Sequence, residues 1–151
     1  MKAISLTQPW AQLMADGRKH IETRSWDTRY RGWLAIAASK GWTVADRDCA
    51  EAFGYDPAIL PRGAIVAIGR LHQTFHTSSV EQFNLMPLGS EEEQYGNYEP
   101  DRYGWRFTEI RKLAQPVACK GALGLWTVPP DVAARVRELV AGGSPGVAGH
   151  E

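Results

Sequence analysis

No run of apolar residues in this chain approaches the about 20 that a helix needs to cross a bilayer, so no membrane span is expected. Cysteine is almost missing. Cys49 and Cys119 are too few for a disulfide framework and are not spaced as a C-x-x-C pair, so both are expected as free thiols in a reducing cytoplasm. No signal-peptide pattern opens the sequence. Net charge is also missing: 17 basic and 17 acidic residues exclude a global polycation that coats nucleic acid by counterion release. Metal-ligand clusters are absent too. His72 and His76 are four apart, a spacing that suits two ligands on a helix but not on the strand read here, and no carboxylates accompany them. There is no internal repeat and no recognisable nucleophile motif.

What the chain does have is aromatic residues and an uneven charge distribution. Its 151 residues suit one domain, and six Trp and five Tyr each need a packed or stacked place. Residues 18–40 hold Arg18, Lys19, Arg24, Arg29, Arg31 and Lys40 against only Glu22 and Asp27. Residues 91–101 hold Glu91, Glu92, Glu93, Glu99 and Asp101 with no Lys or Arg. One part of the surface therefore attracts phosphate and an acidic loop repels it.

Periodicity gives the elements. Lys2–Leu6 reads as a strand, and Thr7 as the N-cap of a helix carrying Pro9 in its first turn and Trp10, Leu13 and Met14 on one face. Gly17 ends that helix. Ile21–Trp26 alternates as a strand, with Glu22, Arg24 and Trp26 on one face and Ile21, Thr23 and Ser25 on the other. Trp33–Ala38 reads as a buried strand. Thr43 and Asp46 form a capping box for a second helix, with Ala45, Cys49, Ala52 and Phe53 facing inward and Gly54 closing it. Ala64–His72 is a long strand, residues 77–101 are loop-like, and Tyr103–Thr108, Val117–Cys119 and Ala122–Val128 are further strands. Pro129-Pro130-Asp131 opens a terminal helix with Val132, Val136, Leu139 and Val140 as its apolar stripe. The expected class is α+β: a small mixed barrel flanked by two helices. It spans residues 1–130, with the terminal helix over 131–141 and a disordered Gly-rich tail over 142–151.

The densest chemistry lies in Gly17-Arg18-Lys19-His20-Ile21-Glu22-Thr23-Arg24, a G-x-K-x-x-E-x-R spacing in a turn-and-strand unit. Lys19 can address a phosphate or a base carbonyl as a point charge, or act as a base if desolvated. Glu22 can accept from an exocyclic amine while Arg24 meets phosphate; alternatively the two form an ion pair that fixes the turn. Trp26, Tyr103 and Trp105 are stacking candidates, with Gly104 permitting close approach, whereas Trp10 fits the core face of its helix better. Arg29 and Arg31 bracket Tyr30 in a turn, a pattern of strand-binding surfaces that a solvated turn shares. Arg62 and Lys120 are further basic residues that the sequence alone does not place.

With Gln8-Pro9-Trp10, the G-x-K-x-x-E-x-R unit, Arg31-Gly32, Leu60-Pro61-Arg62-Gly63, Tyr103-Gly104-Trp105 and Gly121-Ala122-Leu123-Gly124-Leu125-Trp126 in this order, the chain resembles the activating signal cointegrator homology (ASCH) domains of the PUA-like β-barrel superfamily. The resemblance covers residues 2–128. It implies a PUA-like barrel with a cleft beside it, lined by the signature and binding single-stranded RNA or a nucleotide. It also implies a hydrolase alternative: some ASCH proteins are ribonucleases, and a bacterial branch is an amidohydrolase of acylated cytidine using a Lys and a Thr of this motif. Here Glu22 stands at that Thr position, with Thr23 on the opposite strand face. In the binding reading Lys19, Glu22, Arg24, Trp26, Arg29, Tyr30, Tyr103 and Trp105 contact the ligand; in the enzyme reading Lys19 and Glu22 are catalytic. No cofactor is expected, apart from Mg²⁺ if the protein is a nuclease. The expected partner is RNA or a nucleoside ligand, with DNA as a variant and no membrane. A third reading is a protein-interaction module using exposed aromatics.

Overall fold

The computed structural model describes residues 1–78 and 91–143. In chain order these form β1 (Lys2–Leu6), α1 (Trp10–Ala15), β2 (Ile21–Arg24), β3 (Gly32–Ala38), α2 (Val44–Ala52), β4 (Ala64–His76), α3 (Glu91–Gln94), β5 (Tyr103–Ala118), β6 (Trp126–Thr127) and α4 (Pro130–Gly143). One six-stranded sheet runs β2-β5-β4-β3-β1-β6, and only the β1–β3 pair is parallel.

The α+β class is as read from the sequence, but the sheet is open. The strand expected over Ala122–Val128 shrinks to Trp126–Thr127. Gly124 takes φ +67°, a left-handed conformation that turns the chain out of extended geometry, and Leu123 is 98% exposed. The sheet therefore keeps two edges, β2 and β6.

Both faces of the sheet are covered, which explains why β3 reads as an unbroken apolar run. Leu34, Ile36 and Ala38 point to the side of α1, where Ala11 and Met14 pack with Ile4, Trp105 and Phe107. Ala35 and Ala37 point to the side of α4, whose Val136 and Val140 pack on Ile65, Ile68 and Leu113. The two short strands expected before and after residue 109 are one continuous β5. Its charged middle hid it from an apolar-run search, and β4 follows it to His76 through irregularities in register between Ile65 and Gln73.

Two helix expectations need correction. Thr7 is not the cap of α1: the helix begins after a cis Gln8–Pro9 bond, and the fully buried Gln8 side chain accepts from Gln12 N at 2.9 Å while donating to Pro61 O at 2.7 Å. The Thr43–Asp46 capping box of α2 is present, but Ala45 and Ala52 are exposed and Ala50 is the helix's buried residue. The helix leans on the protein only at its C-terminal end. There Phe53 meets Trp10 and Tyr95 edge-on, at 5.8 and 4.9 Å between ring centroids.

The expected 77–101 loop contains α3, and its Glu92 carboxylate accepts from His20 N and Ile21 N at 3.0 and 2.9 Å, so this acidic residue tethers the start of β2. The rest of that expectation, residues 79–90, lies outside the described residues, as does most of the expected tail, 144–151.

Asp16, just past α1, ties that helix to β5 and to the loop after α2. Lys112 Nζ donates to Oδ1 at 2.7 Å and the Tyr55 hydroxyl to Oδ2 at 2.8 Å. Burial raises the Asp16 pKa, but the hydrogen bonds from Lys112 and Tyr55 outweigh it and leave the carboxyl below its ordinary value. Burial and the bond to Asp16 push the Tyr55 hydroxyl from 10.0 to about 12. A raised phenol pKa stabilises the fold below the unfolded value of 10.0, and that contribution disappears as pH rises toward about 12. In a phenolate absorbance titration the step of highest pH should disappear in Tyr55→Phe; persistence of that step would assign it to another tyrosine.

Candidate functional site

A hollow of about 710 Å³ lies beside the C-terminal ends of the parallel strands β1 and β3. Its floor is Ser5–Thr7 and Ala38–Lys40, where the two strands end side by side and Ser39 N donates to Leu6 O at 2.8 Å. One wall is Glu22–Trp26 with Trp10 and Arg102. The opposite wall is the Cys119–Gly124 loop. That loop is held by Cys119 N to Gly63 O at 3.0 Å and by Gly121, where a Cβ would lie 2.7 Å from Ser5 Oγ.

The signature divides into an inner and an outer part. Gly17, at φ +74°, reverses the chain after α1, and Arg18 N and Lys19 N both donate to Leu13 O. This drives Lys19 inward: it is 1% exposed, its ammonium donates to Ile21 O, and Glu22 Oε1 lies 3.5 Å away. Lys19 does not line the hollow; it stands behind Glu22. Glu22 and Arg24, sharing one face of β2 as the alternation required, do line it. Glu22 Oε2 is 3.2 Å from Arg24 Nη2, and the same Nη2 donates to Ser5 O, joining the edge strand β2 to the floor.

The aromatic candidates separate similarly. Trp26 lines the hollow, held by Trp105 behind it: the rings meet edge-on at 4.8 Å and Trp105 Nε1 donates to Trp26 O at 3.3 Å. Trp105 is fully buried, so it positions the wall and does not form its surface. Trp10, read as a core residue, is half-buried: it packs against the core on the α1 side and also lines the hollow. Tyr103 packs edge-on against His76 at 5.3 Å, outside the lining. The half-buried Tyr30 donates its hydroxyl to Trp33 O, and Arg29 is exposed beyond the wall. Arg31 folds the turn by donating to Thr28 O, Tyr30 O and Thr74 Oγ1. Arg62 lies over Trp42 at 4.9 Å and donates to Lys40 O, so it braces the floor from outside.

Sequence reasoning missed Arg102 and gave Lys40 no role. Arg102 Nη2 donates to Thr23 O at 3.2 Å, and its Nε, like that of Arg24, is buried without a hydrogen-bond partner among the described residues. With Lys120, the described lining residues include four cations, Arg24, Lys40, Arg102 and Lys120, against the one carboxylate of Glu22. Lys40 had a signal, the local basic excess. Arg102 follows an acidic stretch and had none.

Nucleophiles are poorly placed. Burial and the charge of Asp131 push the Cys119 thiol up, which keeps it protonated at neutral pH. Thr23 Oγ1 lies on the far face of β2 and accepts from Asn97 N at 3.2 Å. Among the described residues no three His, Cys, Asp or Glu side chains group as a metal site requires.

Comparison with known proteins agrees with this geometry. The family model described as the ASCH domain matches residues 4–116. Activating signal cointegrator 1 of Homo sapiens is 49% identical over 39 residues, which are 24% of this chain and 7% of that protein. The Mus musculus protein of the same name is 53% identical over 36 residues, 24% of this chain and 6% of that protein. The chain thus corresponds to a small part of either relative. Among solved structures, ASCH from Zymomonas mobilis superposes with a TM-score of 0.58 at 12% identity, over 91% of this chain and 94% of that one. A mutant form of the same protein gives 0.57 at 13% identity, over 91% and 94%. At such identity these structures speak to the fold.

Proposed function

The chain belongs to the ASCH domain family, and from that premise we propose that its hollow binds a nucleotide unit of single-stranded RNA. The observation that carries this is the lining: among the described residues, four cations and one carboxylate around indole surfaces, in a volume of about 710 Å³. Ligand sites run from about 300 to 1,000 Å³, so a nucleotide fits by size. Lys40 and Lys120 are exposed at the rim, where they meet a backbone phosphate as mobile point charges. Arg24 and Arg102 are half-buried and fixed by bonds to Ser5 O and Thr23 O. Trp26 and Trp10 supply ring surface for a base, a contact worth about 1–3 kcal/mol without any sequence code. RNA binding is also the activity associated with the family.

A hydrolase reading has less support. Lys19 would have to leave Ile21 O and Glu22 to reach a ligand, and the hydroxyl of Thr23 faces away from the hollow. A protein-interaction reading leaves the cation ring without a task.

Tryptophan fluorescence tests the proposal. Titration with a five-residue RNA should quench emission, and the logarithm of affinity should fall against that of salt with a slope of roughly −1.5 to −3, as for two to four phosphate contacts on a single strand. The DNA equivalent is the comparison arm. Failure of either strand to quench, or a flat salt dependence, would remove the phosphate role from these cations.

A further inference from the structure

We infer that this hollow selects guanine, reading its Watson–Crick edge with the carboxylate of Glu22; the inference rests on the nucleotide reading above. Glu22 is the only carboxylate among the described lining residues. Its side chain is 14% exposed, so it is largely withdrawn from water yet open to the hollow. Each oxygen has a counter-charge, Lys19 at 3.5 Å from Oε1 and Arg24 at 3.2 Å from Oε2. Both contacts are ion pairs. The Lys19 ammonium also donates to Ile21 O and the Arg24 Nη2 to Ser5 O, and a carboxylate has about four acceptor sites, so Glu22 keeps acceptor capacity beyond these two contacts. A largely buried, charge-compensated carboxylate with spare acceptor capacity therefore stands in the wall of the hollow, on the strand that leads to Trp26.

An ionised carboxylate only accepts, and two oxygens side by side match two parallel N–H donors. Among the standard bases only guanine presents such a pair, N1–H beside N2–H. Adenine places its N6–H beside the N1 lone pair, and cytosine its N4–H beside the N3 lone pair. In both, one oxygen of Glu22 would face an acceptor. Uracil offers one N–H between two carbonyls. The cost of the wrong edge is an unpaired or repelled oxygen in a partly dry site, which is how polar sites reject ligands that lack a donor.

Five-residue RNAs UUXUU, with X as guanine, inosine, adenine, cytosine or uracil, test this by competition against a labelled UUGUU. Inosine keeps N1–H and loses only the N2 amino group. Guanine should bind at least roughly tenfold tighter than inosine and than each other base. In Glu22→Gln, which replaces one oxygen by a donor, the guanine–inosine gap should fall below about threefold, with folding checked by circular dichroism. The ladder on the unaltered protein stands even if that variant does not fold. Equal binding of all five with a normal salt slope leaves the nucleotide reading intact and overturns the guanine assignment. A preference for another base overturns it as well. Absence of binding by every oligomer removes both.

Discussion

Lys19→Met will lower the unfolding free energy by about 3 kcal/mol in a urea titration, although Lys19 does not touch the hollow. The ammonium is buried to 1% exposure, where it donates to Ile21 O and faces Glu22 Oε1 at 3.5 Å. Methionine replaces the aliphatic stem well but supplies neither charge nor donor. Among the described residues Glu22 is then left with Arg24 as its one counter-charge, at 14% exposure. Breaking a buried pair costs about 3–5 kcal/mol because the survivor stays desolvated, and the remaining contact with Arg24 places the expectation at the low end. Lys40→Met, at an exposed position, should change stability by less than about 0.5 kcal/mol. Equal stability of the two variants would mean that the ion pair contributes nothing and that the signature Lys is free for another task.

The same geometry separates two roles that the sequence compresses into one motif. In G-x-K-x-x-E-x-R the glycine turns the chain, the lysine anchors the carboxylate from inside, and the glutamate and arginine face outward. Loss of ligand binding on mutating Lys19 would therefore say little about contact. It would report the position of Glu22 or the loss of the fold, and the urea titration distinguishes these.

Local physics made much of this legible. Strand alternation put Glu22, Arg24 and Trp26 on one face, and all three line the hollow. The positive φ of Gly17 and the Thr43–Asp46 box follow from side-chain chemistry within four residues. What failed depends on distant partners. Trp105 looked like a stacking residue because its exposure is set by α1 and β2, not by its neighbours in sequence. Arg102 joined the site only because β5 pairs with β2 and brings it to Thr23 O. Barrel closure was expected from Leu123–Trp126, but the backbone reversal at Gly124 and the exposure of Leu123 put those two residues in the wall of the hollow and leave Trp126 alone of that run in a strand. Lys19 was misplaced for a related reason: a turn fixes where a chain goes, while depth is fixed by what packs over it.

For binding, the largest effect is expected from the two exposed rim cations together. Lys40 leaves the end of β3 and Lys120 leaves the end of β5, so residues 80 apart in sequence flank one opening. Both side chains stand in solvent, and among the described residues no hydrogen bond or ion pair holds either ammonium, so their removal should not disturb the fold. Each neutralised phosphate contact contributes about 0.7 to the salt slope on a single strand, so Lys40→Ala/Lys120→Ala should flatten the slope by about 1.4. At 50 mM salt, the double variant should bind the five-residue RNA at least roughly tenfold more weakly. Its preference for guanine over inosine should survive, because the rim charges act on phosphate and Glu22 on the base. A double variant that binds with wild-type affinity and slope would place the phosphates elsewhere, and the hollow would then lack the feature that distinguishes it from an ordinary surface cleft.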